Sequence, residues 1–192
     1  MCAVREAGPV SPPSSRRPLL RRRATGVVLA AAVVAAVVGA VVFEPWKLVV
    51  DERVQEAVPT AAAAPAPAAP APAEPVVLAR GSLIGHEHDS SGAVTVLRLP
   101  DGSRVLRLED LRTSNGPRLQ VWLSDAPVIA GTDGWRVFDD GRHIDLGDLK
   151  GNIGSSNYPI PPDVDLAALP SVSIWCARFH VSFAAAELHP AA

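Results

Sequence analysis

The sequence contains little of what most catalytic and metal-binding sites are built from. Its 192 residues include two cysteines, one methionine and one tyrosine, and aromatic residues make up 5% of the chain. No phosphate-binding loop, nucleophile elbow, zinc-spaced set of Cys and His, or glycosidase-like carboxylate pair can be recognised by its spacing. These absences argue against classical hydrolase or kinase activity, and the length excludes a large multidomain enzyme.

Positive charge is concentrated at the N-terminus, directly before an apolar run. Residues 1–23 carry six Arg and one Glu, whereas the rest of the chain carries twelve basic and nineteen acidic residues. Residues 24–43 follow without a charge or a proline, and twenty helical residues span about 30 Å, the thickness of a bilayer hydrocarbon core. This pattern predicts a cytoplasmic leader, one transmembrane signal-anchor helix and an extracytoplasmic C-terminal part at the cell membrane. It argues against nucleic-acid binding by that part.

Two further interpretations of the N-terminus stay open. A cleaved signal peptide usually has an apolar core of about 7–15 residues, shorter than this one, although Val38-Gly39-Ala40 resembles a cleavage site. The segment from Ser15 to Arg21 resembles a twin-arginine export signal, but an ordinary cluster of orienting arginines explains the same residues.

Residues 44–75 are predicted to form a stalk and a disordered linker. Sixteen of the nineteen residues from 57 to 75 are Ala or Pro, and proline fixes φ and removes a hydrogen-bond donor. An extended chain of this kind rises about 3.1 Å per residue, so it would hold a domain up to roughly 60 Å from the membrane. The functional interpretation is a tether, and the alternative is inert low-complexity sequence.

Residues 76–189 are predicted to form one all-β domain. Residues 94–109 contain two alternating runs around a Pro-Asp-Gly turn, and residues 118–124 form another strand of period two. Short strands and the lack of a long amphipathic helix favour an antiparallel β-sandwich. Near the C-terminus the alternation changes phase at Ala177-Arg178, which predicts a bulge or a tight turn there.

A long excursion between strands is predicted for residues 125–142. The segment contains four Asp and three Gly, but its acidic residues lack the ligand spacing of a calcium loop, so a solvated loop is favoured over a metal site. Trp122 and Trp175 lie on the outward phases of their strands. Packing of these rings under loops is favoured over an exposed contact patch.

Cys176 is the candidate redox residue. Cys2 lies on the other side of the membrane under the predicted topology, so Cys176 has no intramolecular disulfide partner. Arg178 and His180 are near enough in sequence to act as pKa modulators that stabilise a thiolate. The alternative is a buried, inert cysteine that fills core volume beside Ile174.

His86 and His88 form a His-x-His pair. On a strand, this spacing would present both imidazoles on one face, where they can bind a cofactor through a metal or haem iron. The flanking acidic and Ser residues are typical of a solvated turn, which is favoured over a ligand pair. Haem binding also requires an enclosing apolar cavity, and the cofactor is therefore left unknown.

Several segments of the C-terminal part stand in a characteristic order. They read LRLEDLRT (106–113), NGPRLQVWLS (115–124), DLGDLKGN (145–152), NYPIP (157–161) and VSIWCARFHVSFAAAEL (172–188). In this order they resemble the DM-thirteen domain family, which is also found in Skeletor-type animal proteins beside DOMON and cytochrome b-type modules. The resemblance covers about residues 76–189. Arg118 and Ser156 depart from the family pattern at positions where an acidic or amide residue is expected.

The resemblance implies an extracellular electron-transfer domain whose nearly constant cysteine acts as a thiol or holds a prosthetic group. Cys176 stands at that position. The expectation is therefore a membrane-tethered redox module. Its partner is expected to be a separate redox or cell-surface protein, because no DOMON or cytochrome module is recognisable in this sequence. The alternative is a non-catalytic extracellular binding or scaffolding module with a buried structural cysteine.

Overall fold

A computed structural model describes residues 17–59 and 74–191, and the chain divides into two compact units at Phe43/Glu44. The first unit contains α1 (Arg17–Phe43). Within it, the segment Ala24–Phe43 has a mean hydropathy of 2.8. This segment is long and apolar enough to cross a membrane or to act as a signal sequence. Most of the predicted leader, residues 1–16, lies outside the described residues.

The second unit consists of short strands and four 3-10 helices in its described part. The 3-10 helices are Pro45–Leu48, Thr132–Gly134, Val137–Asp139 and Leu166–Ala168. The strands are β1 (Arg53–Gln55), β2 (Val76–Ser82), β3 (Ile84–Gly85), β4 (Ser91–Arg98), β5 (Arg104–Arg112), β6 (Leu119–Ser124), β7 (His143–Asp148), β8 (Ile153–Ile160), β9 (Ser171–Cys176), β10 (Val181–Glu187) and β11 (His189–Pro190).

These strands form two sheets. The first sheet has the order β1-β8-β5-β4-β2-β11, and the second has the order β3-β10-β9-β6-β7. Neighbouring strands pair antiparallel, apart from the parallel pair of β1 and β8 among the described strands. Alternate residues of both sheets form one apolar core, which includes Val96, Leu106, Val121 and Ile174. The predicted all-β antiparallel sandwich is confirmed.

Residues 125–142, called the strap below, cover the outer face of the second sheet. Phe138 of the strap is fully buried in a second apolar cluster with Trp122 and Trp175, and Trp175 is also fully buried. The carbonyl oxygen of Trp135 accepts a hydrogen bond of 2.7 Å from the amide of Ser182 in β10. The prediction that both tryptophans pack under a loop is confirmed.

Residues 50–57, predicted as part of the stalk and linker, pair with strands of the β domain instead. β1 pairs with β8, the amide of Glu52 donates to Asn152 Oδ1 at 2.7 Å, and Arg107 Nη1 donates to the carbonyls of Glu56 and Ala57. Composition could not reveal this, because the partners lie 50 to 101 residues further along the chain.

The Ala/Pro-rich stretch therefore connects β1 to β2, two strands of the first sheet. This corrects the prediction that it sets the distance between an anchor and the domain. Its residues 60–73 lie outside the described residues. A domain boundary at residue 76 stays a prediction.

Candidate functional site

Cys176 is the last residue of β9 and points into the core between the two sheets. Its Cα lies opposite Val181 of β10 and Leu119 of β6. The side chain is free and has no exposed surface. Its Sγ donates a hydrogen bond of 3.2 Å to the carbonyl oxygen of Pro117, in the loop that precedes β6. The resting group is thus a sealed thiol.

Opposing effects act on the proton of this thiol. Burial raises the pKa of Cys176, because a thiolate loses its hydration in the core. The backbone amides of Phe179 and Arg178 favour the thiolate and act in the opposite direction, whereas the charge of Glu87 raises the pKa further and that of Arg178 lowers it. Burial is the largest effect, so the thiol stays protonated at neutral pH.

The four residues that follow Cys176 form the tight turn between β9 and β10. The Phe179 amide donates to the Cys176 carbonyl at 3.2 Å, and the Ala177 amide donates to the Arg118 carbonyl at 3.1 Å. His180 has a φ of +52°, in the left-handed region, which reverses the chain before β10. The prediction of a tight turn at this phase change is confirmed.

The strap holds this turn from the outside. Arg136 Nη1 donates to the carbonyls of Phe179 and His180 at 3.2 and 3.1 Å. Asp139 Oδ2 lies 2.9 Å from His180 Nδ1. Of the two predicted modulators, Arg178 favours the thiolate through its amide and its charge, while the His180 ring is bound to Asp139. Arg136 and Asp139 were not found from the sequence, because no local pattern links them to a turn forty residues away.

His86 and His88 lie in a bend after β3, so the strand geometry that would place both rings on one face is not formed. His86 is 9% exposed, and its Nδ1 lies 2.9 Å from Ser182 Oγ, which in turn accepts a hydrogen bond of 2.9 Å from Ser173. Burial lowers the pKa of His86, and the nearby Ile129 carbonyl opposes this shift. His86 Nε2 has no hydrogen-bond partner of good geometry in the described structure.

His88 faces different groups. Its Nε2 lies 2.6 Å from Glu87 Oε2, and its ring packs at 4.0 Å from that of Phe183. Neither His86 nor His88 lines the cleft of about 680 Å³ beside β2 and β11. Among the described residues no group of three or more His, Cys, Asp or Glu side chains is placed to hold a metal ion. These contacts do not fit a haem-ligand pair, and cofactor binding by the two histidines stays a prediction.

A chain of aromatic rings lies on the outer face of the second sheet, with Trp122 and Trp175 buried under the strap. The Trp122 and Trp175 rings stack with centroids 5.0 Å apart, and His143 stacks on Trp122 at 4.0 Å. His180 meets the edge of Trp175 at 6.4 Å. Because Trp175 directly precedes Cys176, this packing fixes the end of β9 and the start of the turn.

The comparisons with known proteins agree with this architecture. The family model described as electron transfer DM13 matches residues 82–188, which is 107 of the 192 residues. The match includes the whole second sheet, the strands β4, β5 and β8 of the first sheet, Cys176 and the turn that follows it. No curated protein and no solved structure shows significant similarity to the chain. The chain belongs to the DM13 (DM-thirteen) family of electron-transfer domains.

Proposed function

We propose that this protein is a membrane-tethered extracytoplasmic module that transfers electrons through the thiol of Cys176. The observation that carries the proposal is the family match over residues 82–188, within which Cys176 is the free cysteine of the described chain. The apolar helix of residues 24–43 and the arginines before it support attachment to a membrane with the domain outside.

The chemistry that suits a single thiol is exchange with a disulfide of a separate redox protein. The Cys176 thiol releases its proton to water, and the thiolate attacks one sulfur of the partner disulfide. A new S–S bond forms, the old one breaks, and the partner's second sulfur leaves as a thiolate. A dithiol protein then acts as the electron donor. Its first thiolate attacks the Cys176 sulfur of the mixed disulfide and forms a new S–S bond, and the partner's remaining sulfur leaves as a thiolate. Its second thiolate attacks the sulfur of the first, closes a disulfide within the donor and releases the Cys176 thiolate, so two electrons have passed from the dithiol to the first disulfide.

The residues around Sγ have separate parts in this reaction. The Pro117 carbonyl stabilises the protonated thiol, since it accepts the S–H hydrogen bond. The amides of Arg178 and Phe179 stabilise the thiolate once it forms. Because Sγ is fully buried, attack on a partner requires the turn after Cys176 to move.

A non-catalytic binding module is the second candidate. The observation that favours it is the complete burial of Cys176 in the apolar core beside Ile174 and Val181. A cysteine that only fills volume has this environment. In that case the thiol would react only when the whole domain unfolds.

The test uses the full chain in detergent with Cys2→Ser, so that one thiol remains. Oxidised glutathione is added to the folded protein, and mass spectrometry measures the mixed disulfide at Cys176. We expect a reversible adduct that a thiol reductant removes, and no adduct in the matched Cys2→Ser/Cys176→Ser protein. An adduct seen only under unfolding conditions, with no visible absorption from a bound chromophore, would contradict the redox proposal and favour the binding module.

A further inference from the structure

The strap and the turn after Cys176 are joined at one polar contact. Arg136 binds two successive carbonyls of the turn, and Asp139 binds the ring of His180. Both strap residues therefore act on the same short stretch, Phe179–His180. This stretch also supplies one of the two amides that stabilise a thiolate at Cys176.

The backbone conformation of His180 depends on this contact. A non-glycine residue at φ +52° holds a conformation that persists where surrounding groups impose it. Here the surrounding groups are the guanidinium of Arg136 on the His180 carbonyl and the carboxylate of Asp139 on its ring. Loss of either contact lets His180 leave the left-handed region, and the turn then loses its present shape.

The two ends of this contact differ in how firmly they are held. The strap is anchored by Phe138, which is fully buried against Trp175 with ring centroids 6.5 Å apart. The turn is exposed at Arg178, Phe179 and His180. When the polar contact breaks, the turn therefore moves more readily than the strap.

We propose that Arg136 and Asp139 form a latch that holds the turn 177–180 closed beside Cys176 and thereby controls access to its thiol. The latch rests on the proposed function for its purpose, because access matters only if the thiol reacts. Its residues are positioning residues: they contact the turn and not the sulfur. A redox partner reaches Sγ in the open form of the turn.

The test measures the alkylation rate of Cys176 by iodoacetamide in the full chain carrying Cys2→Ser. Arg136→Gln and Asp139→Asn each remove latch contacts and keep a side chain of similar size. The matched control is Arg142→Gln, which changes an exposed arginine of the same strap that lies 3.9 Å from Asp125 and away from the turn. Global stability of each variant is measured by urea unfolding followed through tryptophan fluorescence.

We expect each latch variant to react about tenfold faster, as the loss of a charge-assisted hydrogen bond implies. The control should match the parent protein. The faster rate should be almost independent of dilute urea, because a local opening exposes little surface. Unchanged rates in both latch variants, or increases that only follow a loss of global stability, would overturn the latch.

The latch and the redox proposal fail in different ways. Faster alkylation in the latch variants without any glutathione adduct supports the latch and contradicts electron transfer by the thiol. An adduct that forms equally fast in the parent and in both latch variants supports the thiol chemistry and overturns the latch.

Discussion

Asn152 offers a direct test of whether residues 50–57 belong to the β domain. Its side chain is 1% exposed and makes three hydrogen bonds: Oδ1 accepts from the Glu52 amide at 2.7 Å, and Nδ2 donates to Asp51 Oδ1 at 3.0 Å and to the Thr113 carbonyl at 2.8 Å. Two of the three bonds connect Asn152 to Asp51 and Glu52, within residues 50–57. The third stays within the domain.

The expected cost of Asn152→Ala follows from these contacts. Each lost hydrogen bond changes the free energy of unfolding by about 1 kcal/mol, so the variant should lose about 3 kcal/mol in a protein that starts at Glu44. In a protein that starts at Glu74, only the bond to Thr113 is present, and the same substitution should cost about 1 kcal/mol. The difference of about 2 kcal/mol is the coupling between Asn152 and the segment.

Urea unfolding of both lengths, with and without the substitution, measures this coupling. Ser103→Ala is the matched control, because the Ser103 hydroxyl donates to Asp101 Oδ1 within the β4–β5 hairpin and its loss should cost the same in both lengths. An equal cost of Asn152→Ala in the two lengths would refute the reasoning and leave residues 50–57 as a stalk. Failure of the shorter protein to fold would show that the domain needs the segment even more than the contacts imply.

Two further predictions concern pH and topology. Burial lowers the pKa of His86 in the folded protein. As the pH falls through the ordinary histidine pKa of about 6.5, the unfolded chain therefore takes up a proton before the folded chain does. The folded protein is then less stable below that pH than above it. Urea unfolding at neutral and at mildly acid pH should therefore show a smaller acid loss in His86→Gln than in the parent protein, and equal losses would contradict the assignment. For topology, protease added to intact cells or spheroplasts should degrade the C-terminal domain; a C-terminal tag that is protected until lysis would show the opposite orientation.

The strands that could be predicted are those whose own residues carry the pattern. Leu119, Val121 and Leu123 alternate because one face of β6 meets the core, and the same holds for β4 and β5. β1 could not be predicted, since it has three residues and forms only by pairing with β8 about 100 residues away. Its Pro- and Ala-rich neighbourhood also resembles a linker in composition.

The site was predictable only where one strand contained the information. The phase change after Cys176 marked the turn, because Val172, Ile174 and Cys176 face the core while His180 lies outside it. The spacing of His86 and His88 could not decide between a strand and a turn, because nothing in it signals that β3 ends at Gly85. The contacts of Arg136 depend on where the strap lies on the second sheet, which is a property of tertiary packing alone.

Burial of Cys176 and electron transfer by its thiol are compatible if the exposed state is short-lived. An accessible thiolate without a nearby second cysteine is the species that oxidants convert to sulfenic and higher acids. In the closed turn, burial raises the pKa of Cys176, and the Pro117 carbonyl holds the proton, so little thiolate is present. The amides of Arg178 and Phe179 act in the opposite direction and favour the thiolate. On the proposed function, the same turn that protects the resting thiol supplies the groups that activate it, and the strap decides which of the two effects prevails.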